Sequence, residues 1–147
     1  MRLTWRDIEW LRSLTRLPLI LKGILDPDDA GEAIAVGANG IVVSNHGARN
    51  LDTLPATIDA LPAVVERVDG RATVIVDGGI RRGTDVLKCL ALGARAVMIG
   101  RPYVFALAVE GAAGVSRCVR MLRDEFENAM ALVGRRTISE IDRSVIW

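Results

Sequence analysis

The chain has 147 residues, half of them hydrophobic, with 19 lysines and arginines against 18 acids and a single histidine. That length suits one domain, residues 1–147, with its own core, and a formal charge of +1 provides no general footprint for nucleic acid or anionic membrane. No apolar run reaches the roughly 18 residues of a membrane span, the opening MRLTWRDIEW lacks the apolar centre of a leader, and one histidine with no C-x-x-C spacing excludes the common zinc patterns, so no metal site is expected.

Residues 4–14 read as a helix: Trp5, Ile8, Leu11 and Leu14 share one face, and Thr4 with Asp7 forms a starting cap. Trp5 and Trp10 are expected to pack against the rest of the fold or a partner. Pro18 ends that unit, and the apolar run 19–24, LILKGI, reads as a buried strand carrying one lysine. Asp26-Pro27-Asp28-Asp29 opens a second helix that runs to Val36 and stops at Gly37 or Gly40.

Gly40 to Val43 is the next strand, and the His46 loop follows it. Thr57 to Val68 reads as a helix that Pro62, early in the stretch, can divide. Val74 to Val76 is a third strand ending in Asp77-Gly78-Gly79, and Thr84 to Leu92 is a helix closed by Gly93. Ala96 to Ile99 is a fourth strand ending in Gly100-Arg101-Pro102. Two helices fill the rest, about 103–109 and 114–133, the second with Val119, Leu122, Phe126 and Met130 on a packing face. Cys89 and Cys118 fall within helices and are expected to be reduced thiols in a cytoplasmic protein, Cys89 as a small buried hydrophobe.

Four short strands, each followed by a helix, predict an α/β fold with a parallel sheet and right-handed crossovers. The repeat suits a (β/α)8 TIM barrel, but a whole barrel needs about 250 residues. The expectation is therefore a C-terminal half-barrel that pairs with an N-terminal half or a second subunit. Left as an open sheet it would keep two edges and one poorly covered face.

Polar and glycine residues collect at the C-terminal end of all four strands, where a barrel carries its active site. After the second strand come Ser44, His46 and Arg49. An arginine grips a carboxylate with a two-pronged hydrogen bond, and a histidine exchanges a proton near neutral pH. Together they suggest chemistry on an α-hydroxy carboxylate, although a lone histidine at a strand end can also be a structural hydrogen bonder. Lys22, inside LILKGI, can point into the mouth and offset negative charge, or simply face solvent. Asp77-Gly78-Gly79 with Arg81, followed one unit later by Gly100-Arg101, place accessible backbone N–H groups and arginines after consecutive strands. One such motif is only a tight turn; two in succession suit a phosphate group. Arg82 suits a surface ion pair, Asp85 the first turn of its helix, and Asp52 support of the His46 loop.

LILKGI, IVVSNHGARNLD, VIVDGGIRRGTDVLKCLALGA and VMIGRPY, in this order, resemble the C-terminal half of the FMN-dependent α-hydroxy acid oxidase and dehydrogenase family, which includes glycolate oxidase, lactate oxidase, mandelate dehydrogenase and flavocytochrome b2. The resemblance implies oxidation of an L-2-hydroxy acid to the keto acid with FMN as cofactor. It implies His46 as the base, Arg49 as the carboxylate clamp and Lys22 beside the flavin. Ser44 would lie near the flavin ring, Asp77, Gly78, Gly79 and Arg81 would form the first phosphate and ribityl segment, and Gly100 and Arg101 the second. The family often has two glycines between histidine and arginine, where this chain has Gly47-Ala48, and Asn50 replaces a frequent glutamine. The family's first four strands, with two tyrosines and the aspartate that orients the base, have no counterpart. The alternative is thus a non-catalytic flavin- or phosphate-binding half-barrel that needs a separate N-terminal half for activity. A different phosphate-binding barrel, such as a biosynthetic isomerase, does not need the histidine–arginine pair of SNHGAR.

Overall fold

Helix-starting signals written in the sequence are used in the computed structural model of the chain, which describes residues 3–146. Met1 and Arg2, at the start of the MRLTWRDIEW stretch, and Trp147 lie outside the described residues. The order is α1 (Trp5–Leu14), β1 (Ile20–Ile24), α2 (Pro27–Ala35), β2 (Gly40–Val43), α3 (Thr57–Val68), β3 (Thr73–Asp77), α4 (Gly83–Ala91), β4 (Ala96–Met98) and α5 (Arg101–Leu132). At the head of α1, the Thr4 N–H and hydroxyl both donate to the Asp7 carboxylate, at 2.7 and 2.8 Å. At the head of α2, Asp26 accepts the Asp28 N–H at 2.7 Å, with Pro27 in the first helical position. Asp85 does the same for α4, accepting the Arg81 and Arg82 N–H groups at 3.0 Å each.

Three details differ from expectation. Pro62 does not divide α3, which runs unbroken over 12 residues; the proline removes one donor and leaves the apolar face of Leu61, Val64 and Val68 intact. The long C-terminal helix is α5, interrupted only at Glu110 and Gly111, where the backbone leaves helical geometry. After it, two short 3-10 turns, Ile138–Glu140 and Arg143–Val145, occupy a stretch for which the sequence predicted no element.

The four strands form one parallel sheet in the order β1-β2-β3-β4, with Lys22 paired to Val42, Val42 to Ile75 and Ile75 to Ala96. Side chains alternate across a strand, and the two faces have different fates. Ile41, Val43, Val74 and Val76 point to the helices and are 0–6% exposed, packed with Ala30, Ala33, Leu61, Val64, Val68 and Cys89. Burial of each such aliphatic side chain contributes about 1.5–3 kcal/mol, which makes this layer the core. On the opposite face Ile20 and Met98 are 48% and 43% exposed, and Lys22, Thr73 and Ala96 are exposed with them. This is half of a (β/α)8 barrel whose inner wall is open at its edge strands, although Val42 at its centre is only 4% exposed.

A smaller cluster of Leu87, Ala129 and Met130, with Phe126, Val133, Ile141 and Val145, fixes α5 and the C-terminal turns against α4. Leu122 is half-buried, but Val119, expected on the same face, is half exposed. Trp5 packs against the main core, whereas Trp10 is 64% exposed. Cys89 is buried as expected, and burial pushes its thiol pKa up to about 11, with Asp85 adding to the shift.

Candidate active site

The C-terminal ends of the strands converge on a cleft of ≈ 460 Å³ whose wall includes Lys22, His46, Arg49, Asp77, Gly78, Gly79, Arg81, Gly100 and Arg101. Nine of the ten residues singled out from the sequence therefore share one cavity. The tenth, Ser44, lines an adjoining cleft of ≈ 200 Å³ with Lys22, Asn45, His46 and Asn50.

Three neighbouring strands meet at Lys22. Its ammonium lies 3.0 Å from Asp77 Oδ2 and donates to Ser44 Oγ at 2.8 Å. Ser44 is 2% exposed. Its oxygen also accepts the His46 N–H at 3.1 Å, so two acceptor sites are used and the hydroxyl proton stays uncommitted among the described residues. Lys22 thus points into the mouth, as expected, and reaches it already paired.

The histidine loop is held in a rare conformation. His46, Gly47 and Ala48 have φ of 55°, 66° and 60°. Left-handed backbone costs a non-glycine residue about 1–2 kcal/mol, so His46 and Ala48 need external support. Asn45 supplies part of it, its Oδ1 accepting the Gly47 and Ala48 N–H groups at 3.0 and 3.3 Å and its Nδ2 donating to the Pro55 carbonyl at 3.2 Å. Arg101 supplies the rest from the end of β4, donating to the Gly47 carbonyl at 2.6 Å. His46 and Arg49 remain exposed at the rim. His46 Nδ1 lies 3.5 Å from Asn50 Nδ2, and among the described residues no carboxylate pairs with it.

The phosphate-suited turns are only partly as expected. A side chain at Gly79 or Gly100 would meet nothing within 4 Å, so a ligand can approach the backbone closely there. The start of α4, in contrast, already carries acids on three of its N–H groups. Asp85 takes the Arg81 and Arg82 N–H groups, Glu125 takes the Gly83 N–H at 2.8 Å, and Arg82 pairs with Glu125 at 3.1 Å. An anion would meet the glycine backbone and the Arg81 side chain rather than the head of α4. Asp52 makes no side-chain hydrogen bond among the described residues; Asn45 does the work expected of it.

Sequence reasoning passed over Asn45, Thr57 and Glu125. An asparagine at a strand exit is a turn-former, a signal that was readable. Glu125 lies 42 residues from Gly83, and nothing local reports that contact.

The donor set fits a flavin mononucleotide. Open glycine backbone and Arg81 suit its phosphate, and Lys22 with the Ser44 hydroxyl suits the polar edge of its ring. Among the described residues no cluster of three or more metal-ligating side chains occurs, and no helix is long and apolar enough to cross a membrane.

The chain is 56% identical over 144 residues to 2-hydroxyacid oxidase 1 of Homo sapiens, covering 98% of this chain and 39% of that protein. It is 58% identical over 142 residues to the peroxisomal (S)-2-hydroxy-acid oxidase of Oryza sativa, covering 97% and 39%. A solved mandelate oxidase variant carrying a monooxide FMN adduct superposes with a TM-score of 0.92 at 48% identity, over 96% of this chain and 45% of that one. The chain thus spans about two fifths of the length of the curated relatives it matches. The profile of the FMN-dependent dehydrogenase family covers residues 1–147, and the chain belongs to that family.

Proposed function

We propose that this chain, as a single half-barrel domain of residues 1–147, supplies the base, the carboxylate clamp and the phosphate side of a site that oxidises an L-2-hydroxy acid to the 2-keto acid with FMN. The observation that carries the reading is the shared cleft, where His46 and Arg49 stand beside Lys22 and the glycine turns. Bound FMN would take up the two electrons of the oxidation. Arg49 grips the substrate carboxylate and sets the α-carbon, a positioning effect that an ammonium could not copy. His46 accepts a proton from the substrate. Lys22 offsets negative charge on the cofactor, helped by an uncommitted donor on Ser44. Gly79, Gly100 and Arg81 hold the phosphate, with Asp77 and Gly78 beside them. Arg101 lines the same cleft, and its side chain supports the histidine loop.

The inner wall, open at its edge strands, favours a refinement: activity needs an N-terminal half-barrel or a second subunit to close the site. Without it the chain is a flavin- or phosphate-binding half. A cytoplasmic setting belongs to the same reading and is consistent with two unpaired cysteines, although relatives of this sequence also work in peroxisomes.

Fluorescence quenching of FMN titrated with this chain, followed by anaerobic mixing with L-lactate, glycolate or (S)-mandelate, tests the proposal. Quenching is expected for the chain alone, and bleaching of the flavin once a complementary half is supplied. His46→Ala should abolish bleaching while FMN stays bound, and Arg49→Lys should chiefly raise the substrate concentration needed. Absence of FMN binding, or rapid bleaching by His46→Ala, would overturn the assignment.

A further inference from the structure

Two polar side chains are fully buried among the described residues: Ser44, already in the site, and Thr57, 3% exposed at the first position of α3. A buried hydroxyl is retained where it has a partner, and the partners of Thr57 belong to the turn after β3. Its Oγ1 donates to the Asp77 carbonyl at 2.5 Å and lies 3.2 Å from the Gly78 carbonyl. The same turn touches the histidine loop. A side-chain carbon at Gly78 would lie 3.1 Å from Thr57 Oγ1 and 3.2 Å from Asn45 Oδ1, so Gly78 sits in a slot between them. Beside the turn is an open cleft of ≈ 250 Å³ lined in part by Asn45, Thr57, Gly78, Ile80 and Cys89. Because the turn borders this cleft on one side, packing there is incomplete, and directional bonds help define where the turn stands.

We infer that Thr57 is a positioning residue that holds the Asp77-Gly78-Gly79 turn against the Asn45–Ala48 loop, so that the phosphate side and the acid side of the cleft keep a fixed separation. Fixing the Asp77 main chain also fixes the carboxylate that meets Lys22. Asn45 completes the link, because the atom that caps Gly47 and Ala48 also walls the Gly78 slot. The ligand consequence rests on the FMN reading above; the geometric coupling does not.

The test uses amide NMR of the chain together with FMN titration. Thr57→Val keeps the shape and removes the donor; Thr57→Ser keeps the donor. The valine variant is expected to move the amide resonances of Gly78, Gly79 and Gly47 and to weaken FMN binding about tenfold, the scale of one lost buried hydrogen bond. The serine variant is expected to stay within about twofold with native Gly78 and Gly79 amides. A role confined to filling the helix start would leave the valine variant native in both readouts, and that result overturns the inference. So does failure of serine to restore them. If the unaltered chain binds no FMN, the cofactor reading fails and the amides decide alone: movement at Gly47 as well as Gly78 upholds the coupling, and movement at Gly78 only overturns it. Should Thr57→Val not fold, Asn45→Ala removes the oxygen that caps Gly47 and Ala48 and walls the Gly78 slot. Native Gly78 and Gly79 amides in that variant overturn the inference.

Discussion

Three successive left-handed residues in the histidine loop mean that His46 is presented by backbone held away from its preferred basin. Asn45 and Arg101 are what hold it there. Gly47→Ala should therefore cost more than a surface substitution. The new carbon sits at φ 66° and meets Arg101 Nη2 at 3.1 Å, so a loss of about 1–2 kcal/mol is expected in urea unfolding. Unfolding unchanged within 0.5 kcal/mol, about the effect of an ordinary surface substitution, would show the loop to be relaxed. Lys22→Met leaves the Asp77 carboxylate, 15% exposed, without its cation. With Lys22 itself 40% exposed, solvent screening limits the expected destabilisation to about 1–2 kcal/mol. Equal midpoints and slopes for Lys22→Met and the parent chain would show that the pair contributes nothing. His46, Arg49 and Lys22 were legible from residue type and place at strand ends. The support given by Arg101 was not, because its partner lies 54 residues away.

Between elements, the joint between α4 and α5 is the most specific. Gly83 is buried against α5, where an added carbon would fall 2.1 Å from the Phe126 nitrogen. Backbone cannot retreat as a flexible side chain can, so Gly83→Ala should force the helices apart and cost about 3 kcal/mol. A melting temperature within a degree of the parent would refute that. The same joint is sensitive to acid. The Gly83 N–H, followed by the Arg82 side chain, holds the Glu125 carboxyl below its ordinary value of 4.5. A carboxylate lowered on folding stabilises the fold above its ordinary value, and that contribution disappears as pH falls through the lowered one. The Asp7 and Asp142 carboxyls, held below 3.8 by hydrogen bonds from Thr4 and from Ser144, act in the same direction. Stability should thus decline below about pH 4.5, and Glu125→Gln should flatten that decline. Parallel pH curves for the two proteins would exclude a role for Glu125. Helix caps were readable because they span three residues; the exposure of Val119 was not, because periodicity reports a face without saying what lies opposite it.

At the scale of the molecule, a layer of helices covers one face of the sheet and solvent meets the other at its edge strands. Two strand edges, β1 and β4, carry unpaired backbone together with exposed Ile20 and Met98. Such edges invite pairing, so sedimentation velocity is expected to show association that increases with concentration. Ile20→Lys with Met98→Lys should suppress it. A monomer of 15.9 kDa at every concentration would show that the open face is stable by itself. By itself the sequence determined the alternation of four strands and helices, the direction in which all strand tips point, and the residue types at those tips. Those properties follow from periodicity, capping and turn chemistry, which act over a few neighbours. Only the tertiary structure decided that Lys22 arrives paired with Asp77 and Ser44, that Glu125 accepts the Gly83 N–H at the head of α4, and that Thr57 and Asn45 reach the turn after β3. Each of those contacts joins residues distant along the chain, and its geometry exists only after the strands have been set in register.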